Sequence, residues 1–213
     1  MMSTVVIDYG IVNLKNILRG FEYIGVRIAS AVDPDQVLKA DRVILPGVGA
    51  FASGMNELRT QGLDEAVKCV ANAGRPILGI CLGMQMLLDN SIEYGHHQGL
   101  GLIPGSVVPI PASVGGMRGR KIPHIGWNAL RYPSHASNWK NSCLNRAPEG
   151  SFFYFVHSFM VVPKNSAHVL AQCIYEGLPV NAAIKKDNIT GLQFHPERSG
   201  PMGLEILREF MDA

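Results

Sequence analysis

The sequence predicts a single α/β domain with a central, mostly parallel sheet and helices on both faces. In the first hundred residues, short apolar runs alternate with helix-length segments, whereas later β-rich runs follow one another closely. Strands that alternate with helices indicate parallel pairing, and closely spaced strands indicate antiparallel pairing. We therefore expect one domain over residues 1–213, with antiparallel strands added in its C-terminal half.

The N-terminal half supplies the parallel strands and the helices between them. The predicted strands are 4–9 ("TVVIDY"), 42–46 ("RVILP") and 76–80 ("PILGI"), and the predicted helices are 13–25 and 64–74.

The C-terminal half supplies the further strands and a last helix over 202–213. Its strand-like runs are 102–110, 121–130, 152–159, 168–175, 180–186 and 189–195. The polar, proline-bearing stretch 131–151 predicts a surface loop or insertion.

Composition excludes several classes of protein. A chain of 213 residues with 47% hydrophobic and 17% charged content is large enough to hold a good core. A net charge of +2, spread along the chain, is too small to indicate a nucleic-acid surface. No apolar window is long enough to span a bilayer, and the N-terminus lacks a signal-peptide pattern. We expect a cytoplasmic protein with neither a nucleic-acid nor a membrane partner.

The four cysteines predict free thiols. Positions 69, 81, 143 and 173 form no CxxC pair and have no secretory context, which makes a disulfide or a zinc site at Cys81 a poor interpretation.

Cys81 lies at the end of an apolar run, in "ILGICLGMQM" (77–86). It follows a predicted buried strand and precedes a segment with helical spacing of Leu82, Met86 and Leu87. The string G-x-C-x-G is the thiol counterpart of a nucleophile elbow, and a helix N-terminus behind the thiol favours its thiolate. The pentapeptide alone fits a core cysteine equally well.

A nucleophilic thiol needs a base, and His195 is the best candidate among the seven histidines. It ends the apolar run "ITGLQFH" and precedes Pro196, which favours extended backbone at His195. Extended backbone brings residues i and i+2 to one side, so that Glu197 can orient the imidazole. His-Pro-Glu alone is a weak signal, but beside a G-x-C-x-G turn it becomes a strong one.

Acyl chemistry also needs donors for the oxyanion. The glycine-rich turn "LPGVGAF" (45–51) follows a predicted central strand, and the backbone N–H groups of Gly47, Val48 and Gly49 can point at a substrate carbonyl. The N–H of Leu82 is the second candidate donor. A plain strand-end turn is the alternative, but strand-end loops of a parallel sheet converge where ligands bind.

Over nearly its whole length the chain resembles the class I, triad-type glutamine amidotransferases. The strings that carry the resemblance are "PGVGAF" (46–51), "GICLGMQ" (79–85), "KIPHIGWN" (121–128), "YFVHSF" (154–159) and "GLQFHPERSG" (191–200). The resemblance implies Cys81 as nucleophile, His195 as general base and acid, and Glu197 as its orienting partner. It also implies that Gln85 and the Ser158–Phe159 backbone hold L-glutamine, with Gly49 lining the site and no cofactor.

The resemblance further implies a heterodimer with a (β/α)8-barrel cyclase subunit that receives the ammonia. The docking candidates are Pro123, Ile125, Trp127, Asn128, Tyr154 and Arg198. Trp127 beside Ile125 and Pro123 offers the aromatic anchor that interfaces favour, although ordinary core packing also accounts for a tryptophan.

Two departures from the family pattern leave the ammonia acceptor open. Val12 stands where a small residue is expected, and the stretch 131–151 is longer than in compact members. A paralogous glutaminase subunit that supplies an N-acetyl-sugar amidotransferase is the alternative, and a non-catalytic scaffold or another thiol hydrolase on the same fold is a third.

A glutaminase without its partner would waste glutamine, so we expect an off state. The "PGVG" loop can supply one if the Val48 N–H is turned away from the substrate.

Overall fold

A seven-stranded sheet forms the centre of the computed structural model, which describes residues 3–113 and 119–212. Its strand order is β11-β12-β13-β4-β3-β1-β2. The neighbours from β13 to β2 pair in parallel, whereas β11–β12 and β12–β13 are antiparallel. The strands of this sheet are β1 (Thr4–Ile7), β2 (Ala29–Ala31), β3 (Arg42–Leu45), β4 (Ile77–Ile80), β11 (Val169–Tyr175), β12 (Leu178–Lys186) and β13 (Ile189–Leu192).

Two smaller sheets lie beside the central one. The first has the order β10-β7-β5-β6, and the second is the antiparallel pair β8–β9. We call this pair the β8–β9 ribbon. The strands of these sheets are β5 (Leu88–Ser91), β6 (His97–Gln98), β7 (Ile103–Pro109), β8 (His124–Ala129), β9 (Phe152–His157) and β10 (Phe159–Pro163).

Six α-helices occur in the described residues. They are α1 (Leu14–Tyr23), α2 (Pro34–Lys39), α3 (Phe51–Thr60), α4 (Leu63–Asn72), α5 (Leu82–Met86) and α6 (Gly200–Met211). Local chemistry fixes α2, for example, because Pro34 occupies its first turn and the Asp33 side chain accepts a hydrogen bond from the Gln36 N–H. Short 3-10 turns at Ser166–His168 and Pro196–Arg198 complete the elements.

The strands at the middle of the sheet are buried on both faces. Every residue of β1, β3, β4 and β13 is buried, as expected for parallel strands covered by helices. Two apolar clusters cover the two faces, one built around α3 and α4 and the other around α1 and α6. The predicted fold class is therefore confirmed: a mostly parallel sheet with helices on both faces and antiparallel strands added in the C-terminal half.

Several predicted boundaries and one environment differ from the structure. The first strand ends at Ile7, and the helix after Cys81 ends at Met86 because β5 begins two residues later. The stretch 131–151 contains no helix or strand but is only partly a surface loop, because it contributes apolar side chains to the core. Trp139, Cys143, Leu144 and Ala147 are all buried there. Ala213, at the end of the predicted last helix, lies outside the described residues.

Candidate active site

Three chain segments meet at the carboxyl edge of the central sheet. The turn at Cys81 follows β4, the Pro46–Ala50 segment follows β3, and His195 lies three residues beyond β13. We call the Pro46–Ala50 segment the β3 loop. The strands β3, β4 and β13 are neighbours in the sheet, so their ends lie side by side. Sheet topology thus brings together residues that are far apart in sequence.

Cys81 has the backbone of a strained turn. Its φ of 56° and ψ of −109° are unusual for a residue with a side chain, and its N–H donates to the Leu192 carbonyl at 2.7 Å. The flanking glycines are required, because a Cβ on Gly83 would overlap the Leu45 carbonyl oxygen, and one on Gly79 would lie 2.9 Å from the Gly83 backbone. The G-x-C-x-G string therefore reflects a turn with no space for a side chain two residues before or two residues after the thiol.

His195 and Glu197 form a buried pair. The His195 Nδ1 lies 2.8 Å from the Glu197 Oε1, and both side chains are almost fully buried. Burial acts to lower the pKa of His195, but the nearby Cys81 and Glu197 outweigh it and raise that pKa to about 10. The contact forms although Glu197 lies in a 3-10 turn rather than in extended backbone. Both neighbours favour the imidazolium form of His195.

A cavity of about 430 Å³ opens in front of these groups. Most of the residues predicted to form the oxyanion hole or to hold glutamine line it, whereas Gly47 is not among the lining residues. The lining includes Val48, Gly49, Cys81, Leu82, Gln85, Ser158, Phe159 and His195. A Cβ on Gly47 would overlap the Tyr9 hydroxyl, which explains the first glycine of the β3 loop.

In the β3 loop, the Val48 N–H is turned toward Ile11. It donates to the Ile11 carbonyl at 3.3 Å, and Gly49 after it has a φ of 90°. At the base of the loop, the Tyr9 hydroxyl donates to the Pro46 carbonyl at 2.8 Å. A peptide N–H engaged with Ile11 is not available to an oxyanion in the cavity.

Two functional candidates were missed by the sequence reasoning. Gln193 is fully buried, and its Nε2 lies 3.8 Å from the Cys81 Sγ, while its Oε1 accepts from the Gln85 Nε2 at 3.2 Å. A polar residue within the apolar run "ITGLQFH" was the available signal. Glu93 also lines the cavity and accepts a hydrogen bond from the Phe51 N–H at 2.6 Å. Its polar turn sequence gave no such signal.

The docking candidates lie mainly on the β8–β9 ribbon. Ile125 and Trp127 are 58% and 54% exposed, which rules out core packing as the reason for Trp127. The Tyr154 ring contacts Trp127 edge-on, and the Arg198 guanidinium lies 4.3 Å from the Tyr154 ring centroid. Pro123 lines the cavity, and the Asn128 Nδ2 donates to the Ile174 carbonyl. The exposed apolar surface therefore borders the cavity.

The described residues include no group of three or more His, Cys, Asp or Glu side chains placed to hold a metal ion. Among residues 3–113 and 119–212, no helix combines the length and apolar character that crossing a bilayer requires.

Solved structures with the same fold are glutamine amidotransferases or related proteins. One, described as a glutamine amidotransferase, superposes with a TM-score of 0.72 at 15% identity and covers 98% of this chain and 97% of its own. Another, PurLQS from Thermotoga maritima, has a TM-score of 0.72 at 18% identity and covers 99% and 98%. These likenesses establish the fold.

The sequence model of the glutamine amidotransferase class-I family matches residues 5–213. The chain therefore belongs to the class I glutamine amidotransferase family. Within it, a Legionella pneumophila (strain Lens) relative named imidazole glycerol phosphate synthase subunit HisH 1 is 46% identical over 213 residues, 99% of each chain. The Geobacter sulfurreducens subunit HisH is 42% identical, covering 99% of this chain and 98% of its own. The Wolinella succinogenes subunit HisH is 41% identical, covering 97% and 98%.

Proposed function

We propose that the chain, taken as one domain over 1–213, is the glutaminase subunit of an imidazole glycerol phosphate synthase. The observation that carries the proposal is that Cys81 and His195 line one cavity and that the His195 Nδ1 lies 2.8 Å from the Glu197 Oε1. Family membership and the names of full-length relatives support it.

The chemistry follows from these groups. The Cys81 thiolate attacks the side-chain amide carbon of glutamine, forming a C–S bond and a tetrahedral oxyanion. His195 gives its proton to the departing nitrogen, and ammonia leaves as the glutamyl thioester forms. Water then loses a proton to His195 and attacks the thioester, which releases glutamate and restores the thiolate. Glu197 holds the imidazole in the required tautomer and stabilises its charged form.

Glutamine needs partners for its amide and for its charged amino-acid end. The backbone of Ser158–Phe159 and the side chain of Gln85 are the groups we assign to holding it, with Gly49 at the cavity wall. We add Glu93, because a buried carboxylate in the cavity suits the α-ammonium group. The Leu82 N–H is one oxyanion donor, and a reoriented Val48 N–H in the Gly47–Gly49 segment is the other.

The engaged Val48 N–H makes the present arrangement an off state. Its hydrogen bond to Ile11 must break before this N–H can serve the oxyanion. We assign the release of the β3 loop to the binding of the partner and its own substrate.

Free ammonia becomes ammonium at neutral pH and is then no nucleophile, so it must pass directly to a synthase. The partner we propose is a (β/α)8-barrel cyclase that uses the ammonia to form imidazole glycerol phosphate and an aminoimidazole carboxamide ribotide in histidine biosynthesis. The exposed Ile125 and Trp127, with Tyr154 and Arg198 beside them, are the docking surface we propose. A cytoplasmic location is part of this proposal, and the four unpaired cysteines fit a reducing compartment.

The alternatives are weaker. The relatives reported above carry the synthase name at 41–46% identity, so the paralogous subunit of an N-acetyl-sugar amidotransferase is not favoured. A non-catalytic scaffold would not need a strained cysteine beside a buried His–Glu pair.

The test uses Cys81→Ala in complex with the barrel subunit. We expect loss of glutamine-dependent glutamate release and of glutamine-dependent synthesis, because no other thiolate faces the cavity among its described lining residues. Synthesis from high ammonium at raised pH should persist, since the barrel then takes free ammonia. Cys69→Ser, at an exposed position, is the matched control and should keep both activities. Glutamate release by Cys81→Ala at the parent rate would overturn the proposal.

A further inference from the structure

Two buried histidines face each other across the β8–β9 ribbon. His124 begins β8 and His157 ends β9, and the two are paired in the strand register. They are only 2% and 6% exposed, and the His124 Nδ1 lies 3.0 Å from the His157 Nε2. The mechanism above uses neither side chain. A direct contact between buried imidazoles needs a reason beyond packing, because apolar rings fill such space without needing partners.

The contacts fix where the protons lie. The His157 Nδ1 is 2.7 Å from the Phe159 carbonyl oxygen, which can only accept, so this nitrogen carries hydrogen. Burial lowers the pKa of His157 to about 3 and that of His124 to about 4, so both rings are neutral near pH 7. The His157 Nε2 is then an acceptor, and the His124 Nδ1 must donate to it. The hydrogen bonds therefore run in one direction, from His124 through His157 to the Phe159 carbonyl.

The His124 end of this series of hydrogen bonds is fixed in the β8–β9 ribbon by ring stacking. The His124 ring stacks on Tyr175, with centroids 3.9 Å apart, and on Phe155, with centroids 4.9 Å apart. His124 is followed by Ile125 and lies three residues before Trp127, the two exposed side chains of the proposed docking surface. A shift of β8 therefore moves the His124 ring with it.

The other end reaches the glutamine cavity and the nucleophile. The Phe159 carbonyl also accepts from the Gln85 Nε2 at 3.3 Å. That same Nε2 donates to Gln193, whose amide nitrogen lies 3.8 Å from the Cys81 Sγ. His157 is close enough to His195 for the charge of His195 to lower its pKa. Because His195 is positively charged in the reaction, a neutral donor at position 157 avoids the repulsion that a lysine would introduce.

We propose that His124 and His157 are positioning residues that couple the β8–β9 ribbon to the glutamine pocket. Docking moves the ribbon, and the hydrogen-bonded imidazoles pass that movement to the Phe159 carbonyl and to Gln85. The inference rests on the proposed function, since it needs a partner at the ribbon and glutamine in the cavity.

The experiment tests separately the hydrogen bond from His124 to His157 and the one from His157 to the Phe159 carbonyl. His124→Phe keeps an aromatic ring between Phe155 and Tyr175 but removes the donor to His157. His124→Asn retains a donor close to the Nδ1 position. His157→Asn retains the donor to the Phe159 carbonyl and loses the acceptor for His124. His135→Phe, at an exposed loop position, is the control.

We measure glutamate release by the isolated chain and by the complex with the barrel and its acceptor. In His124→Phe, the stimulation by the partner should fall about 10-fold while the rate of the isolated chain stays near the parent value, because one hydrogen bond in the link is lost. His157→Asn should show the same loss, and His124→Asn should restore most of the stimulation. Synthesis from ammonium should be unchanged in all variants.

A lowered melting temperature with unchanged stimulation in His124→Phe and His157→Asn would overturn the inference and leave a structural role. Equal stimulation in His124→Phe and His124→Asn would also overturn it. A parent chain that releases no glutamate even in the complex would instead overturn the proposed function, so the two failures are distinguishable.

Discussion

The segments that follow the neighbouring strands β3 and β4 contrast in how tightly they are held. After β4, Cys81 is fixed by its hydrogen bond to Leu192, and Gly79 and Gly83 have no space for a side chain. After β3, Gly47 is also confined, by the Tyr9 hydroxyl, but the next two residues have more space. The atom nearest to an added Cβ at Gly49 is an Ile11 methyl at 3.7 Å, and Val48 is 38% exposed.

The contrast assigns different tasks to the two segments. A nucleophile must be in place in every state, because its geometry decides whether attack occurs at all. An oxyanion donor that can turn away offers control without disturbing the nucleophile. We therefore propose that the oxyanion donor is controlled at the segment after β3, while the segment after β4 keeps the nucleophile in place.

A larger side chain in the turn after β4 should have the largest effect on stability. In Gly83→Ala the new methyl group meets the Leu45 backbone carbonyl, which cannot move without displacing β3, so we expect the free energy of unfolding to fall by roughly 3 kcal/mol. Urea denaturation of the purified chain measures this. Gly119→Ala is the matched control, since the nearest atom to its Cβ lies 3.8 Å away. An unchanged denaturation midpoint in Gly83→Ala would show that the turn after β4 is not tight.

The β3 loop should account for most of the activation by the partner. We expect the Val48 N–H to turn toward the oxyanion when the partner and its substrate bind. The kcat should then rise by about 10²–10³, the usual effect of one oxyanion donor. The KM for glutamine should change far less, because such a donor acts mainly in the transition state. Steady-state kinetics on the isolated chain, the complex and the complex with acceptor test this. Full activity in the isolated chain, or activation only through a lower KM, would exclude the β3 loop as the switch.

The two segments also differ in how far the sequence predicted them. The G-x-C-x-G string and the apolar run before it predicted the turn at Cys81, because local steric needs leave a local signature. The glycines of the β3 loop indicated that the Val48 N–H could turn away, but not that Ile11 would accept its hydrogen bond. Outside these segments, the contact of His124 with His157 is likewise not local in sequence. Such contacts arise from the pairing of distant segments and leave no pattern in one chain.

Burial was also predicted well where the sequence pattern is local and poorly where it is not. The strand-like runs predicted most of the central sheet, since apolar runs are themselves the cause of burial. A polar average composition led to the opposite error, because buried residues were predicted to be on the surface. The stretch 131–151 is polar on average, yet Trp139 and Leu144 pack into the core near α6, because a few apolar side chains suffice to anchor a loop.

The smallest expected effect comes from Tyr9→Phe at the base of the β3 loop. Burial and the charge of Cys81 raise the pKa of Tyr9, so its hydroxyl remains a donor, and it donates to the Pro46 carbonyl. Removing it leaves that carbonyl without this partner, which should cost about 1 kcal/mol of unfolding free energy. The loosened loop should leave its Ile11 contact more often, and glutamate release by the isolated chain should rise by less than about 10-fold.

Alkylation of Cys81 in Tyr9→Phe completes this test. Its rate should match that of the parent chain, because the turn after β4 is held by other contacts. Tyr23→Phe, at a 79% exposed position, is the control for loss of a hydroxyl. If Tyr9→Phe slows Cys81 alkylation as much as it alters glutamate release, the two segments are not independent. The division of tasks between nucleophile and oxyanion donor would then have to be abandoned.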